Sequence, residues 1–189
     1  RWQDWVATAE KALLELLGTC DSVFVAGLSM GTLVTAHLAV MYPEVGGIIL
    51  YSPALKVANK LLPLTPLLRF FIKQFPAGED TDLTDPEAPG RLWHYETYPV
   101  GGAAELLKLQ RVVRTELRDV RVPAIIFYST RDASIHPTSA QRTYDGLGCE
   151  DKELVTLHNS GHCITVDTER ENVFARTYGF IAAHASGFL

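Results

Sequence analysis

The chain opens on a helical rhythm. Trp2, Trp5, Val6, Ala9, Leu13, Leu16 and Leu17 recur at helical spacing and Gly18 closes the run, which predicts an amphipathic helix over residues 1–17. Val23 to Ala26 is short and wholly apolar, the pattern of a strand buried on both faces. Met30 to Met41 reads as a helix ended by Tyr42-Pro43. Gly47–Tyr51 and Pro123–Tyr128 are further apolar strands, the second with proline at its first residue, where no ladder donor is needed. Pro137–Tyr144 is expected to be helical, and Lys152–Leu157 a shorter, more polar strand. The last helix is expected to be capped by Asp167 and to bury Val173, Phe174, Phe180 and Ile181. This alternation predicts an α/β fold, a mostly parallel sheet with helices on both faces.

The stretch 53–119 breaks the rhythm. Pro63, Pro66, Pro76, Pro86, Pro89 and Pro99 interrupt it, and Leu61, Leu62, Leu64, Leu67, Leu68, Phe70, Phe71 and Ile72 make one part strongly apolar. Glu79 to Glu87 is acidic and loop-like, and Ala103–Leu117 is an amphipathic helix. An excursion of this length between two core strands is expected to be a cap over one end of the sheet. The organisation expected is therefore a core of 1–52 and 120–189 with a cap, 53–119. The alternative is a second helical layer with no role at a site.

Composition adds boundaries. The 189 residues suit one domain, with 47% hydrophobic and 21% charged residues and a formal charge of −5. A mildly acidic chain with no basic block is a poor partner for nucleic acid or anionic lipid. Cys20, Cys149 and Cys163 are far apart and have no metal-like spacing, so free thiols in a reducing, cytoplasmic setting are expected and no metal site. No apolar run is long enough for a membrane span, and no secretory leader is visible.

Gly27-Leu28-Ser29-Met30-Gly31 matches G-x-S-x-G between a predicted strand and a predicted helix. That setting presents a serine hydroxyl on a sharp turn at the carboxyl end of the sheet, with glycines where side chains would collide. The helix N-terminus adds positive potential, and the Met30 N–H is a natural oxyanion donor. The competing reading is a glycine-rich turn with an incidental serine.

A serine needs a base. His37 falls inside a helix, His94 in the insertion, His136 before Pro137 and His184 near the chain end. His162, in Asn159-Ser160-Gly161-His162 between the last strand and the last helix, opens at the same end of a parallel sheet as Ser29. His158, one residue past Leu157, is its competitor. The orienting carboxylate belongs at the end of the preceding strand, where Asp132 follows Tyr128-Ser129-Thr130-Arg131; Asp145 lies a helix further on. The order Ser29, Asp132, His162 is that of α/β-hydrolases.

These stretches resemble the bacterial carboxylesterase and monoacylglycerol lipase group of the α/β-hydrolase superfamily. The resemblance rests on Ala26–Gly31, Tyr95–Val100, Pro123–Phe127, Asp132–Pro137 and above all Asn159–Asp167, whose G-H-x-x-T-x-D pattern is the most specific. It implies a serine esterase acting on short- to medium-chain acyl esters or monoacylglycerols, with a small helical cap and no cofactor. It implies Ser29 as nucleophile, Asp132 as orienter, His162 as base and the Met30 N–H as oxyanion donor. Leu61, Leu64, Leu67, Phe70 and Phe71, with Trp93 and Tyr95, are candidates either for an acyl pocket or for the cap's own small core. Two departures stand out. Thr32 replaces a second glycine after Gly31, which is expected to crowd the first helical turn slightly. The strands and loop that in the family supply a second oxyanion N–H have no counterpart before Arg1. The expectation is a fragment, or a sheet completed by another chain, with rates lowered about a hundred- to a thousandfold for want of one donor. Rival expectations are another serine acyl-transfer enzyme (thioesterase, peptidase or acyltransferase), a non-catalytic binding module, and an assembly fragment with a recruiting strand edge.

Overall fold

The computed structural model describes residues 1–76, 82–93 and 95–186. Helix α1 (Trp2–Leu17) turns its Val6 and Leu13 inward and ends at Gly18. Strand β1 (Phe24–Leu28), helix α2 (Gly31–Met41) and strand β2 (Gly47–Tyr51) follow. The insertion carries a helical turn at Leu62–Leu64, then α3 (Thr65–Leu68), β3 (Gln74–Pro76), α4 (Ala88–Arg91) and β4 (Thr97–Pro99), with β3 and β4 paired antiparallel. Helix α5 (Val100–Glu116) leads to β5 (Ala124–Ser129), α6 (Ser139–Gly146), β6 (Lys152–Leu157) and α7 (Arg170–His184).

The main sheet is parallel throughout, in the order β1-β2-β5-β6. Its central strands alternate between two apolar layers. Ile48, Leu50, Ala124 and Ile126 face a core filled by α1, α2, α5 and α6, while Ile49, Ile125 and Phe127 face Val173 and Phe180 of α7. With both faces covered, β2 and β5 are almost wholly buried, as their unbroken apolar sequences require. Helix α5 contributes Leu109 and Val113 to the larger core, so the insertion returns to the sheet through a helix anchored on α1 and α2.

Three local expectations are corrected. Strand β1 is only half-buried and Ala26 is exposed, because among the described residues nothing pairs with its outer edge. Phe174 of α7 is 47% exposed: the helix buries a narrow stripe through Val173 and Phe180 rather than a broad face. The N-cap position of α7 is Glu169, and the Asp167 carboxylate is engaged elsewhere. No described helix is long and apolar enough to cross a membrane.

Candidate active site

The carboxyl ends of four neighbouring strands supply the site, the usual place for chemistry in an open α/β sheet. After β1 the backbone reverses into α2 at Ser29, whose φ of 55° lies in the left-handed region. A non-glycine residue held there marks a strained turn that its surroundings must fix. The Ser29 N–H donates to Tyr51 O at 2.9 Å, and Ser29 O accepts from Thr32 N at 3.1 Å and from the Thr32 hydroxyl at 2.5 Å. Gly27 makes the turn possible, since a Cβ there would lie 2.4 Å from the Gly31 carbonyl carbon and oxygen. A Cβ on Gly31 would meet nothing, so of the two motif glycines the steric demand falls on the first. Thr32 does not crowd the helix as expected. It is buried, and its hydroxyl also accepts from Ala54 N at 3.3 Å, tying the turn to the chain beyond β2.

The Met30 N–H and the Ser29 hydroxyl make no hydrogen bond to any described residue. Both are therefore open to a ligand oxygen or carbon at the N-terminus of α2. Met30 itself is the N-cap residue there.

Asp132 ends the loop after β5. Its Oδ1 accepts from Ser134 N at 2.9 Å and Ile135 N at 2.8 Å, and its Oδ2 lies 2.8 Å from His162 Nδ1. A carboxylate can only accept, so Nδ1 is the ring nitrogen that donates, and in the neutral imidazole this leaves the lone pair on Nε2. The pair is largely dry, with 5% of the Asp132 side chain and 15% of the His162 side chain exposed. His162 reaches this position because its loop is fastened at several points. Gly161 N donates to Asp167 at 2.6 Å, His162 O accepts from Ser52 Oγ at 2.8 Å, and Ser160 O accepts from the Ser129 hydroxyl. Glu169 accepts from the backbone N–H of His158 and Asn159 and from the Ser160 hydroxyl.

Ser52 connects the two halves. It is fully buried, has a φ of 48°, and directly follows the β2 residue that holds Ser29 N. The Ser29 turn and the His162 loop are thus fastened to consecutive residues of one strand end. Its role was invisible in the sequence, where Ser52 is one serine before a proline; the signal is its place one residue beyond a buried strand.

The other candidates separate cleanly. His158 is exposed and lies 3.5 Å from the Thr130 hydroxyl, not at Asp132. Asp145 bonds Gln141 on the outside of α6. His37 pairs with Glu116 between helices. His94 lies outside the described residues, as does 79–81 of the acidic stretch. Cys163, next to the imidazole, is no rival nucleophile: burial and then the carboxylates of Asp82, Asp132 and Asp167 push its thiol up to about 11.

The apolar residues of the insertion are not a buried core. Leu61, Leu64, Leu67, Phe70, Phe71, Trp93 and Tyr95 are all exposed, Phe71 at 79%. Within 61–72 the buried positions are Leu62 and Thr65, and the insertion's other buried apolar residues lie mainly on α5. Leu61 lines a cleft of about 460 Å³ with Leu62, Thr65, Phe75, Tyr98 and Val100; the others lie outside its lining. Among the described residues no group of histidines, cysteines and carboxylates could hold a metal ion.

Known proteins share this fold. A family model described as the alpha/beta hydrolase family matches residues 1–176. The chain is 29% identical over 184 residues to a thermostable monoacylglycerol lipase of a Bacillus species, covering 97% of the chain and 72% of that protein. It is 24% identical to a carboxylesterase of Bacillus subtilis, covering 85% of the chain and 64% of that protein. Among solved structures, one described for two metagenome-derived lipolytic enzymes superposes with a TM-score of 0.89 at 30% identity, covering 96% of this chain and 74% of that one.

Proposed function

Because this chain belongs to the alpha/beta hydrolase family and is a hydrolase of its lipase and esterase type, we propose that it cleaves carboxylic esters through Ser29, His162 and Asp132. The substrates proposed are short- to medium-chain acyl esters or monoacylglycerols, the latter named for the Bacillus relative. The single observation that carries the reading is the dry Asp132–His162 hydrogen bond of 2.8 Å, on a loop fastened to the same strand end as the strained Ser29 turn.

In the proposed cycle His162 Nε2 takes the Ser29 proton as Oγ attacks the ester carbonyl carbon. The oxyanion accepts from the free Met30 N–H at the positive end of α2. Asp132 holds the imidazole in its Nδ1–H tautomer and stabilises the positive charge that forms on it. His162 then protonates the leaving alcohol, and water repeats the sequence on the acyl-enzyme. A second oxyanion donor would come from a segment pairing with the open edge of β1, whether of the same polypeptide or another. The three free thiols suit a reducing, cytoplasmic setting.

For the acyl chain we propose the insertion as a cap, with the cleft at Leu61 as its entry and Leu64, Leu67, Phe71, Trp93 and Tyr95 as the apolar surface around it. Leu67→Trp and Phe71→Ala are expected to shift the preferred chain length of p-nitrophenyl esters; an unchanged profile excludes these residues from the acyl path. For the chemistry, hydrolysis of p-nitrophenyl butyrate is expected to fall to the buffer rate in Ser29→Ala. Equal rates for the two proteins would remove Ser29 from the mechanism.

A further inference from the structure

We propose that a middle segment of the insertion is part of the machinery that positions the base: residues 82–85, anchored on Asp167, clamp the His162 and Asp132 loops together. The proposal rests on His162 and Asp132 being the base and its orienter. Asp82, Thr84 and Asp167 would be positioning residues, since they touch the two loops through backbone groups and not through reacting atoms.

Asp167 is the anchor. Its carboxylate is fully buried, has no cation on it among the described residues, and is satisfied by N–H donors from three places. Gly161 N donates from the residue before His162 at 2.6 Å. Thr84 N and Asp85 N donate from the insertion at 2.9 and 2.7 Å. Thr168 N completes the set at 2.8 Å. A single carboxylate thus joins the histidine loop to a segment 83 residues away in sequence. Thr84 donates through its hydroxyl to Asn159 O, three residues before the imidazole.

Asp82 reaches the other loop. Its Oδ2 accepts from Ala133 N, the residue after Asp132, at 2.8 Å. Its own backbone lies hard against Gly161: a Cβ there would be 2.3 Å from Asp82 O and 2.5 Å from Asp82 Oδ1. The glycine before His162 is therefore required by the insertion's approach and not by the turn of the histidine loop alone. The root of the insertion just after β2 also holds the Asp132 loop. Ala58 N donates to Ser134 O, His136 N donates to Lys56 O, and Val57 bridges Ile135. Asp85, the last residue of the clamp, is pinned by Arg91 and Arg170 at 2.6 and 2.8 Å.

Both partners of the Asp132–His162 bond thus sit on loops whose neighbouring backbone groups are held by insertion residues. A displacement of these residues would be transmitted to that bond, whose geometry decides whether Nε2 faces the serine. A shift of about 1 Å in a reacting group costs on the order of a hundredfold in rate. A cap that merely covered the site would show no such bonds to the loops beneath it.

The test compares Asp82→Ala, Asp167→Asn, Thr84→Val and Thr84→Ser, with Ser29→Ala as the reference for lost chemistry, on folded protein verified by circular dichroism. The readouts are kcat and KM for p-nitrophenyl butyrate and the rate of labelling by a fluorophosphonate. The clamp predicts kcat lowered about tenfold in Asp82→Ala and Thr84→Val, and on the order of a hundredfold in Asp167→Asn, with KM within about twofold. Thr84→Ser, which keeps the hydroxyl, is expected to restore the rate, and labelling should slow in parallel. Wild-type kcat in Thr84→Val and in the Asp82→Ala variant, which unlike Asp82→Asn keeps no acceptor for Ala133 N, with Ser29→Ala inactive, would overturn the clamp and leave the triad standing. Activity persisting in Ser29→Ala would instead overturn the reading on which the clamp rests. Should Asp167→Asn fail to fold, the Asp82 and Thr84 variants decide alone.

Discussion

At the scale of single residues, the site is built from polar groups that each satisfy a specific backbone atom. Asp167 is the clearest case. Burial by itself would raise its pKa, but the N–H donors of Gly161, Asp85, Thr84 and Thr168 outweigh burial and hold the carboxyl below its ordinary range. A depressed folded-state pKa contributes stability that is complete above the unfolded value, about 4, and is lost as the pH falls through the lower folded value. Asp167→Asn is therefore expected to destabilise the protein by about 2 to 3 kcal/mol at pH 7 and by much less near pH 3. Urea unfolding at the two pH values measures this, and an equal deficit at both would contradict it. Ser52→Ala removes the hydroxyl that holds His162 O and is expected to lower kcat about tenfold, the equivalent of one ordinary hydrogen bond. Cys163, with its thiol pushed up to about 11, is expected to resist iodoacetamide at pH 8, where exposed Cys20 is accessible. Peptide mapping that finds both modified equally fast would contradict the burial argument.

At the scale of elements, the strand–turn–helix at Ser29 depends on a close approach between β1 and α2. Gly27→Ala would push a methyl into the Gly31 carbonyl, which is backbone and cannot swing aside. A loss of about 3 kcal/mol or more is expected in urea unfolding, whereas Gly31→Ala, with open space around it, should be far milder. Much of this level was legible in the chain. The limits of β2 follow directly from where its apolar run stops, because a strand buried in a parallel sheet leaves no room for a polar residue. Ser29, Asp132 and His162 were legible as chemical types at successive strand ends. What stayed hidden was long-range. Asp167 before a helix carries the signature of an N-cap, yet its acceptors serve Gly161 and a segment 83 residues distant. Thr32 looked merely bulky, because its acceptor role depends on Ala54, brought near only by the turn after β2. Phe174 looked buried because helical periodicity does not state how wide the covered stripe is.

At the scale of the whole molecule, the sheet gathers the candidate site residues at one end, and segments of the insertion bond to the loops there. The exposed leucines and aromatics of the insertion show the same limit of sequence reading. Their density is that of a core segment, while the fold leaves them exposed. The central claim is narrower than any of this: the hydroxyl of Ser29 is activated by His162, held by Asp132. The most direct measurement is mass-spectrometric mapping of the fluorophosphonate adduct in wild-type protein and in His162→Ala. The account predicts one adduct, on Ser29, formed in the wild type and slowed by orders of magnitude in the variant. An adduct on another residue, or labelling of Ser29 at the same rate without the imidazole, would contradict it.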